Sequence, residues 1–261
     1  MENMEKVDKV LIIPDVHGRT FWKDAVKDSE DWKIVFLGDY LDPYQYEGVT
    51  HEMALANFNE IIEFKKDHPE NVTLLMGNHD CTYVYGRLVC DCRTDILHYN
   101  EIFEIFKENL NLFNFAEELE VGDKKYVFSH APILKDWYNG FETEAEWRNK
   151  PDFFGENPVD NLNNILHSGD TRILLMLSRF DIYRGGYAKA GSVVWADVRS
   201  VTADSETLPI SDYPIFGHTQ LAKEPIVTKK FACLDCRRAF ILDTDGKIKE
   251  LDGTEVPETE L

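Results

Sequence analysis

Short apolar runs alternate with amphipathic stretches through the first half of the chain, and five such runs along its length stop on a residue able to bind a metal ion. Val10 to Ile13 leads into Asp15 and His17, Ile34 to Leu37 into Asp39, and Leu74 to Met76 into Asn78. Further on, Tyr126 to Phe128 leads into His130, and Ile215 to Phe216 into His218. Continuous apolar runs of this length predict strands buried on both faces. Their C-terminal ends then share a sheet edge, where open α/β folds place their sites.

Between the runs, His51 to Lys66 carries Leu55, Phe58, Ile62 and the stem of Lys65 on one face, and Asn100 to Leu110 does the same with Ile102, Phe103, Phe106 and Leu110. Both predict helices. Asn157 followed by Pro158 predicts a capped helix start. Strand and helix in alternation imply right-handed crossovers and a parallel or mixed sheet.

From Tyr213 the runs shorten: Pro214 to Phe216, Ile226 to Thr228, Phe231 to Leu234, and Ala239 to Leu242 before the turn Asp243-Thr244-Asp245-Gly246. This spacing predicts antiparallel strands joined by tight turns. A second sheet packed on the first gives an α/β fold, a four-layer α/β/β/α sandwich of two mixed sheets flanked by helices.

A chain of 261 residues, 43% of them hydrophobic, is read as one domain over 1–251, with a helical cap insertion considered at about 135–190 and a flexible acidic tail at 252–261. The insertion holds Trp137, Tyr138, Phe141, Trp147, Phe153 and Phe154. These aromatics either roof the site or pack on the domain body. Packing is preferred, because large aromatics dominate ordinary cores.

The formal charge of -20 argues against a surface that attracts nucleic acid or anionic membrane, although bound cations would reverse the sign locally. Met1 to Lys9 lacks the apolar stretch of a secretory signal, and no run approaches membrane-spanning length. The five cysteines are odd in number and suit reduced thiols, so the expectation is a cytoplasmic protein. Cys90 with Cys92 and Cys233 with Cys236 could form a four-thiolate zinc site, but the tight first pair favours buried thiols.

Carboxylate, imidazole and amide groups gathered at the strand ends suit hard or borderline divalent ions, with Asp39 placed to bridge two of them. His51, His68, His98 and His167 lack strand-end placement and need no special role. Asp80 reads as a cap of the turn or helix that follows Asn78 and His79.

The motifs Asp15-Val16-His17-Gly18, Gly38-Asp39-Tyr40-Leu41-Asp42, Gly77-Asn78-His79-Asp80, Ser129-His130, Trp195-Ala196-Asp197 and Gly217-His218-Thr219 together resemble the calcineurin-like metallophosphoesterases, closest to the phosphoprotein phosphatase branch. The resemblance implies that Asp15, His17 and Asp39 hold one divalent ion and that Asp39, Asn78, His130 and His218 hold a second. Manganese is expected first, with iron or zinc as alternatives.

By the same resemblance, a hydroxide shared by the two ions attacks a phosphate monoester in line. His79 protonates the leaving oxygen, with Asp42 as its carboxylate partner raising the imidazole pKa. Asn78 is expected to touch the substrate as well as the metal.

The chain departs from the pattern where the branch commonly carries a phosphate-gripping arginine, since that place holds Pro43. Another arginine must then supply the bidentate contact, Arg199 first and Arg184 second. Many relatives outside the branch end with Gly-His-x-His, and here Gln220 stands at the second histidine. The implied substrate is a phosphoserine or phosphothreonine protein. A small phosphorylated metabolite or dinucleoside polyphosphate is the alternative, and a non-catalytic binding module the reading from another class.

Overall fold

The computed structural model describes residues 5–29, 31–87, 89–147, 154–168, 170–203 and 211–260. Among these residues two six-stranded sheets form. One runs in the order β12-β11-β2-β3-β4-β5, where β2 is Lys9–Ile13, β3 Lys33–Phe36, β4 Val72–Leu75, β5 Phe113–Asn114, β11 Phe240–Asp243 and β12 Ile248–Lys249. The other runs β1-β6-β7-β8-β10-β9, where β1 is Lys6–Val7, β6 Ala116–Val121, β7 Lys124–Ser129, β8 Tyr213–Phe216, β9 Ile226–Val227 and β10 Ala232–Cys233.

Side chains alternate across a strand, so each apolar run feeds two cores. Val10, Ile12, Val35 and Leu37 meet Leu119, Phe128, Ile215 and Leu242 in the layer between the sheets. Leu11, Ile13, Ile34 and Phe36 face the other way, onto the helices. The layers follow in the order helix, sheet, sheet, helix.

Helix α2 (His51–Asp67) starts where the Thr50 side chain accepts from Met53 N at 3.2 Å, and it buries Leu55, Phe58, Ile61 and Ile62. It packs beside α4 (Tyr99–Asn109), with the rings of Phe58 and Phe106 4.8 Å apart. Truncating Phe58 to alanine would cost about 3–5 kcal/mol, as for other buried aromatics. Helix α6 (Pro158–His167) begins as its sequence predicts, with Asn157 Oδ1 accepting from Val159 N and Asp160 N.

Trp137, Tyr138 and Phe141, on α5 (Lys135–Trp147), are buried in the core shared with the first sheet's helices, and Trp137 Nε1 donates to Met176 O at 2.8 Å. Phe153 and the side chain of Trp147 lie outside the described residues. The described aromatics of this helix therefore pack on the body of the domain.

Two expectations are corrected. Strand β8 is parallel to both β7 and β10, because the chain between β8 and β10 crosses over through residues 217–231 instead of turning back as a hairpin. Among the described strands from Tyr213 onward, antiparallel pairing is confined to β9 with β10 and to β11 with β2 and β12; earlier in the chain β6 and β7 form the other antiparallel pair. The segment after Asp252 is not a loose tail either. Val256 is buried and its N–H donates to Ile248 O, while Thr259 N donates to Val227 O at 2.6 Å and Thr259 Oγ1 accepts from Val227 N. The open edge of β9 gives this acidic segment backbone partners.

Candidate metal centre

The parallel strands β2, β3 and β4 end side by side in one sheet, β7 and β8 in the other, and the loops that leave them converge. Backbone bonds tie the loops together: His17 N donates to Asp39 O at 2.7 Å, and Gly217 N to His130 O at 2.9 Å. His218 N donates to Asp15 Oδ1 at 3.0 Å, which links the two sheets through a side chain. The chain turns sharply at each loop. His17, Asp39, Asp42 and His218 all have positive φ, between 45° and 61°. Non-glycine residues are seldom held there, and such strain concentrates at functional sites.

Room at the centre depends on two glycines. A Cβ on Gly77 would stand 2.1 Å from Asp39 Oδ1, and one on Gly217 would stand 2.3 Å from Asp15 Oδ1. Asp80, the residue expected to cap, does more than that. Its carboxylate accepts from Gly77 N at the start of helix α3 (Asn78–Tyr85) and also from Asp39 N and Tyr40 N, so it clamps two of the loops together.

Asp39 Oδ2 lies 3.6 Å from His17 Nε2 and 3.7 Å from His130 Nε2, one carboxylate oxygen between two imidazoles. His17 Nδ1 bonds Leu41 O at 2.8 Å and His130 Nδ1 bonds Leu37 O at 2.8 Å. A carbonyl oxygen can only accept, so each Nδ1 carries the proton and each Nε2 keeps a lone pair directed inward. His130 Nε2 then faces another acceptor, Asn78 Oδ1, at 2.9 Å, and it lies 3.0 Å from His218 Nδ1. His218 Nε2 is buried without a hydrogen-bond partner among the described residues.

Lone pairs crowded together in this way, with one buried ring nitrogen unpartnered, fit a bound cation. Two trios satisfy the spacing for a shared ion: His17, Asp39 and His79, and Asp39, His130 and His218. Asp15 belongs to neither trio, and its carboxylate instead meets the His218 backbone. Among the described residues no cysteine joins such a group, and all five thiols are buried and free.

The charges agree with this picture. Burial pushes Asp15 up to about 7, and burial together with the neighbouring Asp15 and Asp80 carboxylates raises Asp39 well above the usual range. Burial lowers His130 to about 3 and pushes His17 and His218 well below the ordinary imidazole value. Such a site favours neutral imidazoles and opposes bare carboxylates, which is the state a divalent ion would relieve.

His79 stands at the rim, its Nδ1 2.7 Å from Asp42 Oδ2. Asp42 is held in turn by Tyr83 Oη, which donates to Oδ1 at 2.5 Å, and by Asp95 N. The sequence leads one to expect an imidazole raised by its carboxylate. The structure reverses the direction: burial, with the Arg93 charge nearby, lowers His79 to about 3, while burial raises Asp42 to about 6. At neutral pH the pair is therefore a neutral ring donating Nδ1–H to an ionised carboxylate.

His17, Asp39, Asn78, His79 and His218 line one cavity of about 290 Å³ with Tyr44, Cys92, Arg93, Arg184, Trp195 and Asp235. Of the two arginines expected to grip phosphate, Arg184 is in this cavity, its Nη2 donating to His218 O at 2.9 Å. Arg199 is not among the lining residues. Its Nε donates to Asp197 Oδ1 and its Nη2 to Tyr183 O, and the side chain is more than half exposed, so the fold brings Arg184 but not Arg199 to this cavity.

Arg93, Tyr44 and Asp235 are lining residues that the sequence did not single out for the site. Arg93 Nη2 donates to Asp42 O at 2.7 Å, and its guanidinium lies 3.9 Å over the Tyr44 ring. The sequence signal beside this pair is Pro43, next to Tyr44, at the place where the branch commonly carries an arginine. The segment holding Arg93 has no periodic pattern that would place it.

Residues 8–220 match the family described as calcineurin-like phosphoesterase. The serine/threonine-protein phosphatase 7 of Arabidopsis thaliana is 29% identical over 94 residues, 33% of this chain and 21% of that protein, so the chain spans about a fifth of that curated relative. Among solved structures, a cold-active protein tyrosine phosphatase superposes with a TM-score of 0.57 at 19% identity, covering 98% of this chain and 80% of that one. A Saccharomyces cerevisiae protein serine/threonine phosphatase gives a TM-score of 0.46 at 12% identity, covering 99% and 84%. With the family's pattern matched over most of its length, and with the strand-end cluster described above, the chain belongs to the calcineurin-like phosphoesterase family.

Proposed function

We propose that this chain hydrolyses phosphate monoesters at a centre for two divalent ions that share Asp39. In this reading Asp15, His17 and Asp39 hold one ion, and Asp39, Asn78, His130 and His218 the other. The observation that carries it is the single Asp39 oxygen flanked by two imidazole Nε2 atoms at 3.6 and 3.7 Å. When bound, the ions would supply positive charge against the phosphoryl oxygens and make a water acidic enough to act as the nucleophile.

The chain's own groups do the rest. Arg93 and Arg184 approach the cavity from two separate segments and offer forked donors to a phosphate, the geometry a guanidinium serves best. Asp42 fixes the His79 tautomer by accepting at Nδ1, which leaves Nε2 for the leaving oxygen. A phosphoryl dianion beside His79 would raise its pKa, toward the charged ring that a general acid needs.

Phosphoserine or phosphothreonine in protein is the leading substrate. Its support is the partial likeness to the Arabidopsis phosphatase and Gln220 in place of a second histidine. Manganese is the first ion to try. The test is phosphate release from a generic aryl phosphate by chelator-stripped protein, before and after manganese is restored, with His79→Asn as control. Turnover that needs the metal and falls at least a hundredfold in the variant supports the reading. Metal-loaded protein that releases no phosphate from any monoester overturns it.

A further inference from the structure

A second, larger cavity of about 670 Å³ adjoins the metal cavity, and Arg184 and Trp195 line both. The chain also flanks both at one more place, since Asp91 lines the larger cavity while its neighbours Cys92 and Arg93 line the smaller. We propose that the larger cavity is a specificity pocket for a planar aromatic group carried close to the phosphate of the substrate. The proposal rests on the monoester reading above and names what the substrate must present beside its phosphate.

The walls argue for an aromatic occupant. Phe180 and Trp195 meet with ring centroids 4.4 Å apart, and Tyr187 projects its ring fully into solvent at the rim. Arg179 and Arg184 line it as well, and the remaining wall is Asp91, Ser178 and the small residues Gly185, Gly186 and Ala188. Rings offset or edge-on to other rings, and guanidinium planes over them, favour a flat π system over an aliphatic chain. A solvent-exposed tyrosine beside a cavity is a surface that a monoester with a small alkyl leaving group would leave uncovered.

The volume is several times that of a phosphate and within the range of pockets that enclose small organic groups. The aromatic group can come from two sources. It can be the phenol that leaves, as in an aryl phosphate or phosphotyrosine, or an aromatic side chain next to a phosphoserine or phosphothreonine in a peptide.

The experiment uses the manganese-loaded full chain and separates the two. One arm compares inhibition by phenylphosphonate and methylphosphonate, which share a head group and cannot be hydrolysed, so leaving-group reactivity does not enter. The other compares kcat/KM for Ala-Ala-pSer-Phe-Ala and Ala-Ala-pSer-Ala-Ala. Each is repeated in Tyr187→Ala and Arg179→Ala, both at exposed positions.

The expected result is an aromatic preference of about tenfold in one arm, which names the source, cut about threefold or more by each variant. No preference in either arm, or a preference that both variants leave intact, overturns the pocket. Failure of the underlying reading looks different, because the manganese-loaded protein would then release no phosphate from an aryl phosphate or from either peptide.

Discussion

Cys92 Sγ accepts a hydrogen bond from Asn78 Nδ2 at 2.9 Å, and that contact turns the Asn78 amide oxygen toward His130 Nε2. The thiol is buried and lines the metal cavity beside Asn78. Cys92→Ala is therefore expected to weaken one of two metal-binding steps about tenfold, the lower end for loss of a contact behind a ligand. Cys92→Ser, which keeps an acceptor, should recover most of it. Calorimetric manganese titration of the two variants is the check, and equal affinities in both would remove the orienting role.

The glycines beside the ligands give a steric prediction. Gly217→Ala places a methyl group 2.3 Å from Asp15 Oδ1 and must push that carboxylate away from the His218 amide. We expect loss of about 1–3 kcal/mol in urea unfolding, the usual range for overpacking, together with loss of one bound ion. A variant with wild-type stability and two ions would show that the loop yields freely.

The strand ends, the order of the polar residues and the layered fold were legible in the sequence because buried strands admit polar groups only where they stop. Val10 to Ile13 and Ile34 to Leu37 behave as read, each alternating between two cores. Arg93 was not legible. It reaches the site from a segment without periodicity, and only tertiary packing carries its guanidinium over Tyr44. The direction of β8 was missed for a related reason, since a four-residue run fixes a strand but not its partners. The docking of Thr259 on Val227 leaves no mark in composition, as it consists of backbone and hydroxyl bonds.

Between pH 6 and 8 the metal-free protein should lose stability as pH rises. Asp42, raised to about 6, and Asp15 and Asp80, raised to about 7, bind protons more tightly folded than unfolded, so the stability they lend is lost as pH passes those values. The histidines work in the opposite sense over a lower window, which overlaps this one only at its acid end. His79 and His130, lowered to about 3, favour the fold above their unfolded value near 6.5 and lose that contribution only below it. Thermal melts at pH 6 and 8 with and without manganese should show the gap between the two forms widening with pH. A gap that narrows would mean that the buried carboxylates do not face the ions.

The arginines make a kinetic prediction. Arg93→Ala or Arg184→Ala should raise KM for an aryl phosphate about tenfold or more, since each removes a charge-assisted donor from the cavity. Arg199→Ala should have a smaller effect, transmitted only through Asp197, which holds both Arg199 and Arg184. Steady-state kinetics on the three variants decides the order, and a larger effect at Arg199 would restore it as the phosphate contact.

The central claim is that two ions share Asp39, and counting bound metal per chain tests it without any assumption about substrate. After loading with manganese and removal of excess, wild type should retain two ions, His17→Ala one, His218→Ala one, and Asp39→Asn none. One ion in wild type, or one retained by Asp39→Asn, would contradict the shared centre.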